Sequence, residues 1–116
     1  MNLQRTAATA AILLPLTLQV AAQDLPVLGQ GNLSCSSWKE RRAGDAIDAA
    51  TMTAWVLGYM TAYNQYGASP KVDISEGQPT EEFAKWIDEY CDKNPTASLY
   101  SACASLIAKF QKTTNP

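Results

Sequence analysis

Between residues 48 and 65 apolar side chains recur at steps of three and four. Met52, Trp55, Val56, Tyr59, Tyr63 and Tyr66 make one stripe on a helix of that period. A second stripe on the same segment is small, with Ala50, Ala54, Gly58 and Ala62 spaced four apart. Glycine inside a helix costs about 1 kcal/mol relative to alanine. Close approach of a neighbouring helix over Ala54, Gly58 and Ala62 is the compensation this spacing predicts. A transmembrane dimer motif uses similar spacing, but the weakly polar run from Met52 to Tyr63 is only twelve residues, well short of a span. No stable membrane insertion is expected.

Three further helices follow from the same pattern. Residues 35–42 carry one large anchor, Trp38, with Ser34 or Ser37 as cap and Ser37–Glu40 at capping-box spacing. Arg41, Arg42 and Gly44 mark its end. Residues 80–93 place Phe83, Trp86, Ile87, Tyr90 and Cys91 on one face, with Glu81 and Glu82 in the first turn and Lys93 in the last. Asn94-Pro95 breaks the chain and can cap a fourth helix running to about Phe110, with Leu99, Cys103, Leu106 and Phe110 on its apolar face. Between the second and third helices Pro70, Gly77 and Pro79 predict a loop over 68–79. The fold class is all-α: a small bundle of about four helices, with disulfide stapling open to its cysteines.

The N-terminus has a different layout. Met1–Arg5 carries one positive charge, Thr6–Leu18 is apolar with Pro15 inside it, and Val20-Ala21-Ala22 puts small or modest residues before a cut. This is the three-part layout of a secretory signal peptide over residues 1–22, cleaved after Ala22, with an apolar core too short to cross a bilayer. Residues 23–33, with one Pro and two Gly and no periodicity, read as a flexible tail. The helical domain then spans 34–112. Export places the mature chain in the periplasm, where thiols persist as disulfides.

Composition narrows the chemistry. Nine Lys plus Arg against eleven Asp plus Glu leave no basic surplus, which argues against a nucleic-acid partner. The sequence has no His, so the usual general base, metal ligand and neutral-pH switch are missing. With no nucleophile elbow, phosphate loop or zinc motif, the chain is expected to be no enzyme and to need no metal or cofactor. Loss of Arg5 with the leader leaves eight cations against eleven carboxylates, a charge of −3. Any pH response therefore comes from carboxylates, at roughly pH 3–5. Asp88, Glu89, Asp92, Asp45 and Asp48 are candidate partners for Arg41 and Arg42.

The three cysteines, Cys35, Cys91 and Cys103, allow one pair and leave one thiol over. Cys35–Cys91 closes a long loop and gains about 4 kcal/mol in the loop-entropy model. Cys91–Cys103 would instead clamp the last two helices. Spacing favours the first and leaves both open. Cys103 lies on an apolar stripe, where a buried unreactive thiol is the plain reading.

Ser34-Cys35 with a nearby aromatic, Ala54-Trp55-Val56-Leu57, and the run Trp86-Ile87-Asp88-Glu89-Tyr90-Cys91-Asp92-Lys93-Asn94-Pro95 followed by Leu99-Tyr100 resemble the HdeA/HdeB periplasmic acid-stress chaperones. The resemblance covers about Ser34 to Phe110 and is most specific from Ile87 to Tyr100, where it is similar to the HdeB branch. It implies that Cys35 and Cys91 match the family's single disulfide, and Cys103 departs from the two-cysteine pattern. A second set of residues, Val56-Leu57-Gly58-Tyr59-Met60, Trp86-Ile87, Tyr90, Asn94-Pro95 and Ala102, is similar to Rap/Tai-type periplasmic immunity proteins, which block effectors of type VI secretion.

The first resemblance implies a chain that exposes apolar surface in acid and binds unfolded periplasmic proteins. Protonating eleven carboxylates would carry the mature side-chain charge from −3 to +8, and self-repulsion would loosen the bundle. The client surface would be Trp55, Val56, Tyr59, Met60 and Tyr63, released from the core or from packing in a homodimer. The second resemblance implies a rigid surface that blocks a cognate effector, with the 68–79 connection as its recognition loop.

Overall fold

The computed structural model describes residues 10–13, 25–67 and 71–114. Most of residues 1–22, read from the sequence as a leader, lies outside the described residues. Four α-helices make the body: α1 (Cys35–Arg42), α2 (Ala46–Ala62), α3 (Thr80–Lys93) and α4 (Leu99–Thr114). Among the described residues there is no β-strand, only an isolated antiparallel bridge between Ser34 and Ser98. The all-α bundle is therefore as the periodicity predicts.

Helix starts are set by side-chain oxygens that satisfy otherwise unpaired N–H groups. Ser34 caps α1, its Oγ accepting from Ser37 N at 3.2 Å. Asp45 caps α2, accepting from Asp48 N at 2.8 Å, so α2 begins at Ala46, two residues before the apolar pattern does. This use of Asp45 replaces its predicted pairing with Arg41 or Arg42. At its other end α2 runs into a π-helical turn, Tyr63–Gly67.

The start of α4 differs from expectation. Asn94-Pro95 does not cap it, because residues 95–97 are engaged elsewhere: Pro95 O accepts from Ser36 N at 3.1 Å and Ala97 O from Cys35 N at 2.8 Å. Leu99 N donates to Leu33 O at 2.8 Å. Only at Ser98 is the chain free to turn helical, its Oγ accepting from Ser101 N at 3.1 Å.

The segment predicted as a flexible tail is structured over its second half. Gly29–Asn32 forms a 3-10 turn, and Asn32 Nδ2 donates to Val27 O at 2.6 Å. The turn is where Trp55 comes to rest. Gly31 is buried, and a Cβ there would overlap the far edge of the Trp55 indole. Only glycine lets this backbone lie so close beneath the ring.

The core contains Trp38, Met52, Val56, Phe83, Ile87, Leu99 and Leu106, all essentially inaccessible, with Cys35, Cys91 and Cys103 among them. Ile74, in the connection read as a plain loop, is also buried. It is set there by a turn in which Asp73 Oδ1 accepts from Ser75 N (2.9 Å) and Asn64 Nδ2 (2.8 Å), while Ile74 N donates to Asn64 Oδ1 at 3.1 Å. Cys35 and Cys91 form the disulfide, with Cα atoms 4.9 Å apart, tying the start of α1 to the end of α3.

Candidate functional site

The predicted stripe on α2 divides by depth. Met52, Val56 and Met60 point into the core, Trp55, Tyr59 and Tyr63 are half-buried, and Tyr66 is 90% exposed. Positions spaced three and four apart drift around a 3.6-residue turn, so one stripe spans both core and surface. Val56 and Met60 are thus core residues, while Trp55 and Tyr59 reach a surface groove. The hydroxyl of Tyr63 is a partner of Gln111 Nε2.

The small stripe is corrected more sharply. Ala54, Gly58 and Ala62 are exposed, and a Cβ built on Gly58 would meet nothing within 4 Å. No helix of the described chain packs over them, because α1, α3 and α4 all gather on the Met52–Val56–Met60 side. Ala54 and Gly58 instead form the floor of an open groove of about 970 Å³. Its walls are the extended segment Leu25–Leu28 on one side and Trp55, Tyr59 and Tyr100 on the other. Among the described residues no charged one lines it.

The aromatic wall is held in place. Trp55 Nε1 donates to Leu28 O at 2.9 Å, and its ring lies against the 3-10 turn over Gly31. Tyr59 stands 5.7 Å from Trp55 and meets Tyr100 edge-on at 5.7 Å, separations at which aromatic pairs attract. Burial, and then the Tyr100 hydroxyl beside it, push the Tyr59 phenol up to about 12, so it is neutral at any ordinary pH. Beneath this wall the buried Cys103 thiol is also pushed up to about 12 by burial, which keeps it protonated and a poor nucleophile. Tyr100 and Leu25–Leu28 were not legible as groove residues. The only hint was an apolar Leu-Pro-Val-Leu run placed just before two glycines.

A second cluster closes the join between α1 and α3. Asp88 on α3 accepts from the indole N–H of the fully buried Trp38 at 2.7 Å and from Arg42 Nη2 at 3.1 Å. The Arg42 guanidinium also lies over the Trp38 ring, 5.4 Å from its centroid, and reaches Glu81 at 3.6 Å. Lys39 pairs with Asp92 at 2.7 Å. These bonds hold both cations above their ordinary pKa values, Arg42 chiefly through Asp88 and Lys39 chiefly through Asp92. Asp88 and Asp92 thus meet α1 as anticipated, though Lys39 takes the place expected for Arg41.

Among the described residues no group of three or more Asp, Glu, Cys or His is placed to hold a metal ion. None of the described helices is long and apolar enough to cross a membrane. The described side chains thus form two features, an aromatic groove on α2 and a join between α1 and α3 closed by carboxylates. Comparison with protein-family models, with curated proteins and with solved structures finds no match for this chain.

Proposed function

We propose that the protein is an exported, periplasmic acid-stress chaperone of the HdeA/HdeB kind, which binds apolar segments of unfolding proteins when the pH falls. The observation that carries this reading is the α1–α3 join. Its cations Lys39 and Arg42 are matched by Asp92, Asp88 and Glu81, so the join is held by carboxylates, the side-chain class that acid neutralises. A disulfide at the same join is indifferent to pH and limits how far the bundle opens. Trp55 and Tyr59 supply apolar surface from the start, and Val56, Met60 and Tyr63 join it as the core loosens. The rising positive charge keeps chaperone and client soluble.

A second reading, an immunity protein that blocks a cognate effector, draws on the groove being open in the folded state, with Trp55 tied to Leu28 O. One experiment separates the two. The chaperone reading expects purified mature protein to suppress aggregation of an unrelated periplasmic protein at about pH 2–3, with a gain in exposed apolar surface over the same range. Absence of protection at every acidic pH removes that reading and leaves the effector-binding one.

A further inference from the structure

The two walls of the α2 groove differ in kind. One is main chain: Leu25–Leu28 runs along it, extended at Leu28 with φ −96° and ψ 151°, and the Leu28 carbonyl accepts the Trp55 indole N–H at 2.9 Å. Among the described residues nothing pairs the main-chain N–H groups of Val27 and Leu28. The other wall is aromatic, with Tyr59 and Tyr100 in edge-on contact. Between them Ala54 and Gly58 make the floor, which is open above Gly58. The glycine that weakens α2 thus leaves depth in the groove.

We propose that the folded protein binds in this groove, at neutral pH, a short extended segment of another protein whose side chains are uncharged and apolar at alternate positions. The absence of charge follows from the lining. Among the described residues no charged one faces the groove, so a charged guest side chain would give up water without a counter-charge. A peptide is favoured by the main-chain wall. A purely apolar guest such as an acyl chain would cover the N–H groups of Val27 and Leu28 without pairing them, and a covered, unpaired amide is costly. A peptide supplies carbonyls for them. Extended backbone matches an extended wall, and its alternation turns every second side chain toward the Ala54–Gly58 floor and the tyrosine rings. Four extended residues span about 13 Å, so the wall meets a guest segment of about that length. The groove volume, about 970 Å³, is within the range of sites that enclose small ligands. The inference gives a ligand class to the Trp55–Tyr59 surface and rests on the proposed function only for that surface being a binding one. It needs neither acid nor an opened core.

The test follows the three indole N–H resonances of the disulfide-intact protein at neutral pH as the capped pentapeptide Leu-Ser-Val-Ser-Leu is added. The Trp55 signal should shift saturably while those of Trp38 and Trp86 stay in place. The peptide Lys-Ser-Val-Ser-Lys should leave all three unmoved, and N-methylation of the first peptide's amides should weaken it. Gly58→Leu fills the floor and should weaken binding about tenfold or more, with Ala54→Leu, at the other floor position, serving if that variant does not fold. No saturable shift at millimolar peptide, equal binding of the lysine peptide, or affinity unmoved in the folded floor variant would each overturn the proposal. So would octyl glucoside shifting Trp55 where the peptide does not, which gives the groove to acyl chains. Self-association abolished by Gly58→Leu, with no peptide shift, would give it to a second copy and overturn the proposal equally. Suppression of aggregation in acid without peptide binding at neutral pH removes this inference and keeps the chaperone reading. Peptide binding without suppression does the reverse.

Discussion

The α1–α3 join and the α2 groove sit on one small bundle and are built in opposite ways. At the join a fully buried indole meets charge, Asp88 at its N–H and Arg42 over its ring, with the Lys39–Asp92 pair and a disulfide on the same two helices. At the groove a half-exposed indole has no charged residue beside it among the described lining, and is held instead by a main-chain carbonyl, a glycine turn and a neighbouring ring. The first is a set of acidic and basic side chains, while the second, among the described residues, is lined by aromatic and aliphatic groups.

The largest expected effect tests the covalent part of the join. Replacing Cys35 and Cys91 by alanine opens a closure across a sequence separation of 56. Chemical denaturation should show a loss of about 4 kcal/mol on the loop-entropy account. A loss much below that would mean that the ionic contacts and main-chain bonds fix α1 unaided.

Next comes the ionic part. Asp88→Ala leaves the buried Trp38 N–H without its acceptor and Arg42 without its nearest counter-charge. The expected cost is about 2–4 kcal/mol at neutral pH by chemical denaturation. A negligible cost would mean that Trp38 and Arg42 do not need Asp88, and would blur the contrast between the two regions.

A pair of glycine substitutions examines the groove. Gly31→Ala drives a methyl group into the Trp55 ring and should cost about 1–3 kcal/mol while shifting the Trp55 emission. Gly58→Ala puts a methyl group into open space on a helix and should stabilise by up to about 1 kcal/mol. If Gly58→Ala destabilises instead, something packs over the small stripe in solution, as its spacing first suggested.

The smallest effect lies away from both regions. Hydrogen bonds from Ser75, and more weakly from Asn64, hold the Asp73 carboxyl below its ordinary value of 3.8. The native state therefore binds the proton less readily than the unfolded chain. Its contribution is present above that ordinary value and is lost as the pH falls through the lower folded one. Asp73→Asn should flatten only this acid limb of the stability–pH profile, and slightly, because the turn is exposed. A large change would assign to this loop the acid sensitivity ascribed here to the join.

Much of the fold was legible because it is local. The limits of α1 and α3 agree with their apolar period and end signals, and Cys103 is buried where its stripe placed it. Local reasoning failed where a distant partner takes over a local group. Asn94-Pro95 has a good start signal for α4, yet the carbonyls beyond it are used by Cys35 and Ser36 some sixty positions away. Residues 25–33 have no periodicity, yet Trp55 organises them from a helix that comes later. Ile74 looked like a loop residue until Asn64 and Asp73 turned it inward.

The sequence by itself determined that the chain is helical and broadly where its helices run. Those properties depend on spacing and composition, which are already present in the linear chain. The tertiary structure decided which apolar stripe faces inward, that the small stripe lies open as a groove floor, and that Asp88 holds Trp38. Those choices depend on which surfaces meet. Ile47 on α2 and Tyr100 on α4 remain exposed while Val56 and Leu99 on the same helices are buried, so packing selects what is left outside.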